Sequence, residues 1–259
     1  MSLRATFLGT GTSVGVPMIG CSCPVCRSKD ARNVRSRSGF YVQTDSHAYL
    51  IDTSADLRLQ AIANGITRVE ALLYTHSHAD HILGLDDVRR FNTLLGNQVI
   101  PLYACPETLA EIQRTFNYIG KVPKDGLFRA LIDFRAIAEE PFDLLGTLVT
   151  PIRVRHNGVT HGYRIDWCGR SLAYIPDCKE IPTEELEKLS GLDVLVIDAL
   201  RYRVHKTHFS VWEALTAIRR LQPKRAFLTH LCHDIDHSLL QSVLPPTVSP
   251  AYDSLTIEL

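Results

Sequence analysis

The segment His76-Ser77-His78-Ala79-Asp80-His81 sets three imidazoles and one carboxylate within six residues, directly after the apolar run at 71–74. That run reads as a buried strand, so the ionisable groups fall where the chain leaves a sheet and changes direction. Packing gives no reason for so many of them there, and a solvated polar loop does not account for their density. Imidazole and carboxylate are ligands of zinc, manganese and iron. Alternate residues at a strand end can serve one metal while the following pair serves a second.

The 259 residues exceed the usual one-domain size, yet α/β chains of this length often stay undivided, and a single domain over 1–259 is expected. Strand-like runs fall at 3–8, 39–44, 47–51, 71–74, 99–103, 146–154, 163–166, 171–175, 192–197, 225–228 and 254–258. Helical spacing falls at 55–63, 86–91, 107–118, 183–189 and 211–221. An early hairpin followed by alternating strands and helices excludes both a pure doubly wound sheet and an all-β barrel. The class that fits is α/β (α+β), two mixed sheets covered by helices. Gly9, Gly11 and Gly15 break the first strand with turns that bring backbone close to a ligand or a neighbouring loop. Residues 119–143 are the least patterned, and the turn-rich 121–126 reads as a lid over a site.

The 28 Lys and Arg cancel the 28 Asp and Glu, which removes the basic excess needed to grip long nucleic acid through its phosphates. DNA is not expected as a partner and RNA is disfavoured, although a local basic patch stays open. No apolar run nears the ~18 residues of a membrane span, and the N-terminus lacks a signal-peptide segment. No membrane partner is expected, and the chain reads as cytoplasmic. Its oligomeric state is not legible, and a homodimer is left open.

His-x-His-x-Asp-His after a strand resembles the signature of the metallo-β-lactamase superfamily of hydrolases, whose fold is a four-layer αββα sandwich. The resemblance implies further ligands downstream, in order. His156 continues the apolar face of the 146–155 strand and emerges at its end; Asp177 follows the 171–175 strand; His230 follows the 225–228 strand. By this resemblance His76, His78 and His156 hold one metal, Asp80, His81 and His230 the other, and Asp177 bridges them. Asp52, closing the 47–51 strand, matches a residue that orients a ligand histidine, with a turn or helix cap before Ser54 as the plainer reading.

Three of the seven cysteines cluster as Cys21-Ser22-Cys23-Pro24-Val25-Cys26, and the odd total argues against a disulfide framework. Three soft ligands need only one more to close a tetrahedral structural zinc, so a zinc knuckle is expected at about 20–27. His233 is the expected fourth ligand, tying this loop to the strand end at His230; Cys232 is the runner-up. Cys105, Cys168, Cys178 and Cys232 read singly as small buried hydrophobes.

Cys-x-Cys-x-x-Cys together with Leu228-Thr229-His230-Leu231-Cys232-His233 narrows the likeness to the phosphodiesterases that accompany carbon-phosphorus lyase, and it runs almost end to end. That implies a binuclear phosphodiesterase for a small phosphodiester, cyclic ones included, using zinc, manganese or iron and water activated between the metals. The branch's proton-handling histidine falls on His208, just before the 211–221 helix, where a helix cap is the plainer reading; His208 and Asp80 are the residues on which turnover should depend. His205 is the nearest competitor, and His47, His161 and His237 read as ordinary polar residues. The run Asp86-Asp87-Val88-Arg89-Arg90 reads as a solvated helix face. Three rivals stand beside this reading: a transfer-RNA 3′ processing nuclease, a thioesterase or lactonase on the same metals, and a non-catalytic metal-binding module.

Overall fold

A computed structural model describes residues 2–120 and 128–259, so the lid expected at 121–126 lies outside the described residues. The first sheet takes β1 (Arg4–Gly9), β2 (Gly39–Gln43), β3 (Ala48–Ile51), β4 (Ala71–Leu73), β5 (Ile100–Ala104), β6 (Ile132–Ala136) and, from the far end of the chain, β14 (Thr256–Glu258). The second takes β7 (Phe142–Leu144), β8 (Thr147–Arg155), β9 (Val159–Trp167), β10 (Arg170–Ile175), β11 (Val194–Asp198), β12 (Arg225–Thr229) and β13 (Val248–Pro250). Among the described residues the spatial orders are β14-β1-β2-β3-β4-β5-β6 and β13-β12-β11-β10-β9-β8-β7. Both sheets are mixed in the same way. The pairings from β14 through β3 and from β7 through β10 are antiparallel, whereas those from β3 to β6 and from β10 to β13 are parallel.

Parallel neighbours need crossovers, and helices supply or flank them: α1 (Leu57–Ala63), α2 (Ala79–Ile82), α3 (Arg89–Leu94), α4 (Pro106–Thr115), α5 (Val211–Leu221) and α6 (His237–Val243). Strand alternation then sorts the apolar residues into layers. Tyr49 and Ile51 of β3 join Val194 and Val196 of β11 in the core between the sheets. Leu50 turns outward to pack with Leu57 of α1 and Ile112 of α4, and Leu195 and Ile197 turn outward to Ala214 and Ile218 of α5. Strands buried on both faces read as unbroken apolar runs, which is why 192–197 and 71–74 were so plain in the sequence. Phe40 of β2 stacks on Tyr174 of β10 at 4.5 Å, fastening one sheet to the other.

Two expectations change. The 183–189 helix is a pair of 3₁₀ turns, Thr183–Glu185 and Glu187–Leu189; so short a segment does not repay helix nucleation. The unpatterned stretch before 143 contains β6, and β7 begins at its end; among the described residues both are edge strands, paired on one side only. No helix among the described residues is long and apolar enough to cross a membrane.

Gly9 shows how tightly the first strand is seated. A Cβ there would stand 2.0 Å from the Arg37 carbonyl oxygen, beside the register shift that separates Phe7 from Gly9 in the β1–β2 ladder. Gly9→Ala is therefore expected to lower the free energy of unfolding by about 1–3 kcal/mol, the range for overpacking. Denaturant titration of both proteins checks this, and an unchanged midpoint would show that the neighbouring loop gives way freely.

Candidate functional site

The chain leaves β4 at Leu73 and reaches His76 through Tyr74 and Thr75. This turn is held from the neighbouring strand. The fully buried carboxylate of Asp52, just beyond β3, accepts hydrogen bonds from the Thr75 N–H (2.9 Å), the Thr75 hydroxyl (2.8 Å) and His81 Nδ1 (2.7 Å). Burial pushes the Asp52 carboxyl above its ordinary value, and His81 and Thr75 pull against that rise. Asp52 thus faces His81 rather than capping α1, whose N-cap position is Asp56.

His156 comes just after β8, Asp177 follows β10 and His230 follows β12, so the strand ends of the second sheet deliver them to the edge where His76 lies. His76, His78, His156 and Asp177 offer ligand atoms within 4.8 Å of one another, and so do Asp80, His81 and His230. Asp177 stands between the two sets. Its Oδ2 is 3.9 Å from His76 Nε2 and 3.6 Å from His156 Nε2, while its Oδ1 is 3.2 Å from His81 Nε2 and 3.3 Å from His230 Nδ1.

The donor chemistry fits divalent cations. His76 Nε2 and His156 Nε2 lie 2.9 and 3.3 Å from the same atom, His78 Nδ1. The far nitrogens are already engaged, that of His76 by the Thr75 hydroxyl at 2.9 Å and that of His156 by the Thr207 carbonyl at 2.7 Å. The Nε2 lone pairs of His76 and His156 are therefore both turned toward His78 Nδ1, a convergence of donor atoms that suits a cation held among them. His81 Nε2 and Asp177 Oδ1 are likewise buried with no aligned hydrogen-bond partner. Burial holds His76 well below the usual imidazole value and pushes His230 down to about 4, keeping both rings in the neutral, lone-pair-bearing form. His81 behaves oppositely: burial pushes it down, but the Asp177 and Asp52 carboxylates on either side outweigh burial and hold it well above.

At the rim of this cluster, His208 Nδ1 meets Asp198 Oδ2 at 2.7 Å. The ring stacks on His230 at 4.9 Å and stands edge-on to His156 at 4.6 Å. Burial lowers its pKa, yet Asp198 outweighs burial and raises it above the ordinary value. The start of α5 is fixed immediately afterwards by a capping box, in which the Glu213 carboxylate accepts the Ser210 N–H at 2.8 Å and the Ser210 hydroxyl accepts the Glu213 N–H at 3.3 Å. The sequence reading missed Asp198. It is the last residue of β11, one position beyond the expected strand end, and the available signal was an acid closing an apolar strand, as at Asp52 and Asp177.

A second cluster joins Cys21, Cys23, Cys26 and His233, with ligand atoms within 4.8 Å of one another. His233 Nδ1 is 3.3 Å from Cys21 Sγ and 3.5 Å from Cys23 Sγ. The Cys26 N–H donates to Cys23, drawing that thiol down to about 6, while burial pushes Cys26 up to about 11. Cys232 lies apart from this group and accepts the Asp234 N–H. Of the remaining candidates, His205 has its ring 5.2 Å from His208, Arg89 is paired with Asp86 at 2.8 Å, and His47 pairs with Glu70 at 3.1 Å.

The family model described as beta-lactamase superfamily domain matches residues 47–231. A protein of Porphyromonas gingivalis (strain ATCC BAA-308 / W83) named octanoyltransferase is 35% identical over 259 residues, covering 98% of this chain and 51% of that protein, so the chain spans about half the length of that relative. A crystal structure described as a new diphosphatase from the PhnP family is 38% identical with a TM-score of 0.92, covering 100% of this chain and 98% of that one. The zinc-bound PqqB of Methylobacterium extorquens shares the fold, with a TM-score of 0.77 at 22% identity over 99% of this chain and 100% of that one.

Two ligand sets of different softness predict about three metal ions per chain, two borne by His and Asp and one zinc by the cysteines. Cys23→Ser should lose one of the three and lower thermal stability while hydrolysis persists, because a structural zinc contributes directly to folding. Elemental analysis of protein purified without chelator is the measurement. An active wild-type preparation carrying only two metals would remove the knuckle.

Proposed function

The chain belongs to the β-lactamase superfamily, and from that premise we propose that it is a metal-dependent hydrolase, a binuclear enzyme cleaving a small phosphodiester, with alkoxide or phosphate as the leaving group. The observation carrying this reading is the His208–Asp198 pair, set beside both donor groups. A departing alkoxide needs a proton, whereas a departing thiolate does not, so the pair favours a phosphorus–oxygen bond over a thioester. The 38% identical diphosphatase of the PhnP family supports the same choice.

In this reading His76, His78 and His156 would hold one metal and Asp80, His81 and His230 the second, with Asp177 set between the two groups. Divalent ions held there would supply Lewis acidity and lower the pKa of water. Asp52 fixes the His81 ring through its Nδ1–H, and Thr207 and Thr75 fix His156 and His76 through their outer nitrogens. Asp198 accepts the Nδ1–H of His208, which leaves Nε2 to hold the proton delivered to the departing oxygen. Against burial, the Asp198 carboxylate raises the pKa of His208 above the ordinary imidazole value, which favours the protonated ring.

His208→Ala is expected to retain both active-site metals and lose turnover by about 10²-fold, the scale of a missing general acid, with Asp198→Asn retaining metal and losing less. His78→Ala and Asp80→Ala should abolish turnover together with metal. Metal content and kcat measured on the same preparations separate the classes; a His208→Ala protein stripped of metal, or turning over normally, would assign that histidine otherwise.

Equal numbers of cations and anions favour a small ligand over a polymer. For the zinc- or manganese-loaded enzyme, kcat/KM should be higher for 2′,3′-cyclic nucleotides, ribosyl cyclic phosphates or a diphosphate diester than for precursor transfer RNA or a thioester. Salt-sensitive RNA cleavage with negligible turnover of the small diesters would replace this reading with the nuclease.

A further inference from the structure

The loop between β11 and α5 places two histidines side by side, and the hydrolytic reading uses only one of them. The ends of this loop are pinned together. The Leu200 N–H donates to the Phe209 carbonyl at 3.0 Å, and the Val211 N–H donates to the Arg201 carbonyl at 2.9 Å. Inside it the Arg201 guanidinium folds back onto the carbonyls of Arg203 (3.3 Å) and Val204 (3.2 Å), while Arg203 pairs with Asp234 at 3.1 Å. His205 follows, half-buried, with its ring 5.2 Å from that of His208. It joins neither candidate metal group. It reaches the cluster through His208, whose own ring touches those of His156 and His230.

Thr207 decides how this imidazole is presented. Its N–H lies 3.3 Å from His205 Nδ1, and its hydroxyl lies 3.2 Å from the same atom. An amide N–H can only donate, so Nδ1 is the acceptor and the single proton of the neutral ring is on Nε2. That nitrogen, on the edge of the ring turned away from the bond, has no hydrogen-bond partner among the described residues. The Thr207 carbonyl meanwhile accepts His156 Nδ1 at 2.7 Å, so one residue sets both a metal-ligand candidate and His205. Burial, with the neighbouring His208, Arg201 and Lys179, holds His205 below the ordinary imidazole value and keeps the ring neutral. The two adjacent histidines are thus prepared for different work: Asp198 orients His208 to give up a proton, whereas Thr207 orients His205 to offer an N–H and keep it.

We infer that His205 is a specificity-determining residue, whose Nε2–H donates to an oxygen of the leaving group close to the one that departs. This rests on the phosphodiesterase reading, in which His208 delivers its proton to the departing oxygen; an imidazole beside His208 then meets the atoms behind that oxygen. A neutral N–H donor is matched by an acceptor oxygen, either of a phosphate or of a sugar. The favoured substrates are therefore diesters whose leaving group carries such an oxygen, as a diphosphate or a ribosyl phosphate does, over diesters of a plain aryl or alkyl alcohol. A substrate lacking the oxygen leaves the donor unpaired, which is how a single hydrogen bond discriminates.

The test compares two kinds of substrate on the zinc- or manganese-loaded full chain. One is the better of ADP-ribose and 2′,3′-cyclic AMP; the other is bis(p-nitrophenyl) phosphate, whose departing phenolate carries no oxygen close to the one that leaves. In His205→Ala the ratio of kcat/KM for the first to that for the second should fall by about tenfold or more, the scale of a hydrogen bond to a charged oxygen, with both active-site metals retained. His205→Gln, which keeps an N–H donor, should recover most of the ratio. Nitrogen NMR of labelled histidines in the loaded wild type should show His205 protonated on Nε2 and bare on Nδ1, a readout independent of turnover that decides the matter where His205→Ala folds poorly. An unchanged ratio, loss of metal from the alanine variant, a proton on Nδ1, or a wild type that cleaves only the nitrophenyl ester would overturn the inference and leave phosphodiester hydrolysis standing. A wild type that cleaves none of the three would remove the phosphodiesterase reading and this inference with it.

Discussion

The carboxylate of Asp52 is the point on which the candidate metal edge depends. Wholly buried between β3 and the segment leaving β4, it survives as an acceptor because Thr75 and His81 supply three donors to it. Those bonds fix both ends of the His76–His81 segment at once, the entry through Thr75 and the exit through His81. Without them the segment would be a mobile polar turn, and the convergence of three imidazoles within 4.8 Å of Asp177 and one another would carry an entropic cost with no support behind it. Asp52 pays this with backbone geometry, since it sits at φ 63°, a region an aspartate tolerates better than most residues.

The same device recurs. Asp52 follows β3, Asp177 follows β10 and Asp198 ends β11, each an acid where an apolar parallel-paired strand runs out. The strands bury their side chains on both faces, so the first place a carboxylate can be set is the C-terminal edge, and both sheets offer that edge to the same side. What each acid does then depends on what faces it. Asp52 and Asp198 each hold a histidine Nδ1 at 2.7 Å, whereas Asp177 faces nitrogens of both candidate metal sets. One topological feature thus yields two orienting carboxylates and one central one.

Legibility in the sequence follows from this geometry. Doubly buried strands carry their pattern in consecutive residues, so β4, β10 and β11 were plain, and the acids and histidines beyond them could be placed by position. Edge strands fared unevenly: β14 was legible in the run at 254–258, whereas β6 and β7 were not. Of β6 only Ile132 is fully buried, with Asp133 and Phe134 half-covered and Arg135 and Ala136 exposed, a pattern close to that of a loop. Asp198 escaped because the apolar run stops at Ile197 and the next residue looks like a turn.

The segment after β12 joins the two candidate metal clusters into one mechanical unit. His230 adopts φ 58°, a conformation that costs a non-glycine residue free energy and persists only when its flanks are fixed. Its flanks are fixed from several directions: the Leu231 N–H donates to the Thr10 carbonyl at 2.8 Å, the Cys232 N–H donates to the Leu200 carbonyl at 2.9 Å, and Arg35 Nη1 donates to the Cys232 carbonyl at 3.0 Å. His233, one residue further, stands against Cys21 and Cys23. The N-terminal loop therefore reaches His230 through both Thr10 and the cysteine cluster. Ordering that loop, whether by its own hydrogen bonds or by a soft metal, also sets the strained ring that faces Asp177, so the two clusters share one backbone constraint although they share no ligand.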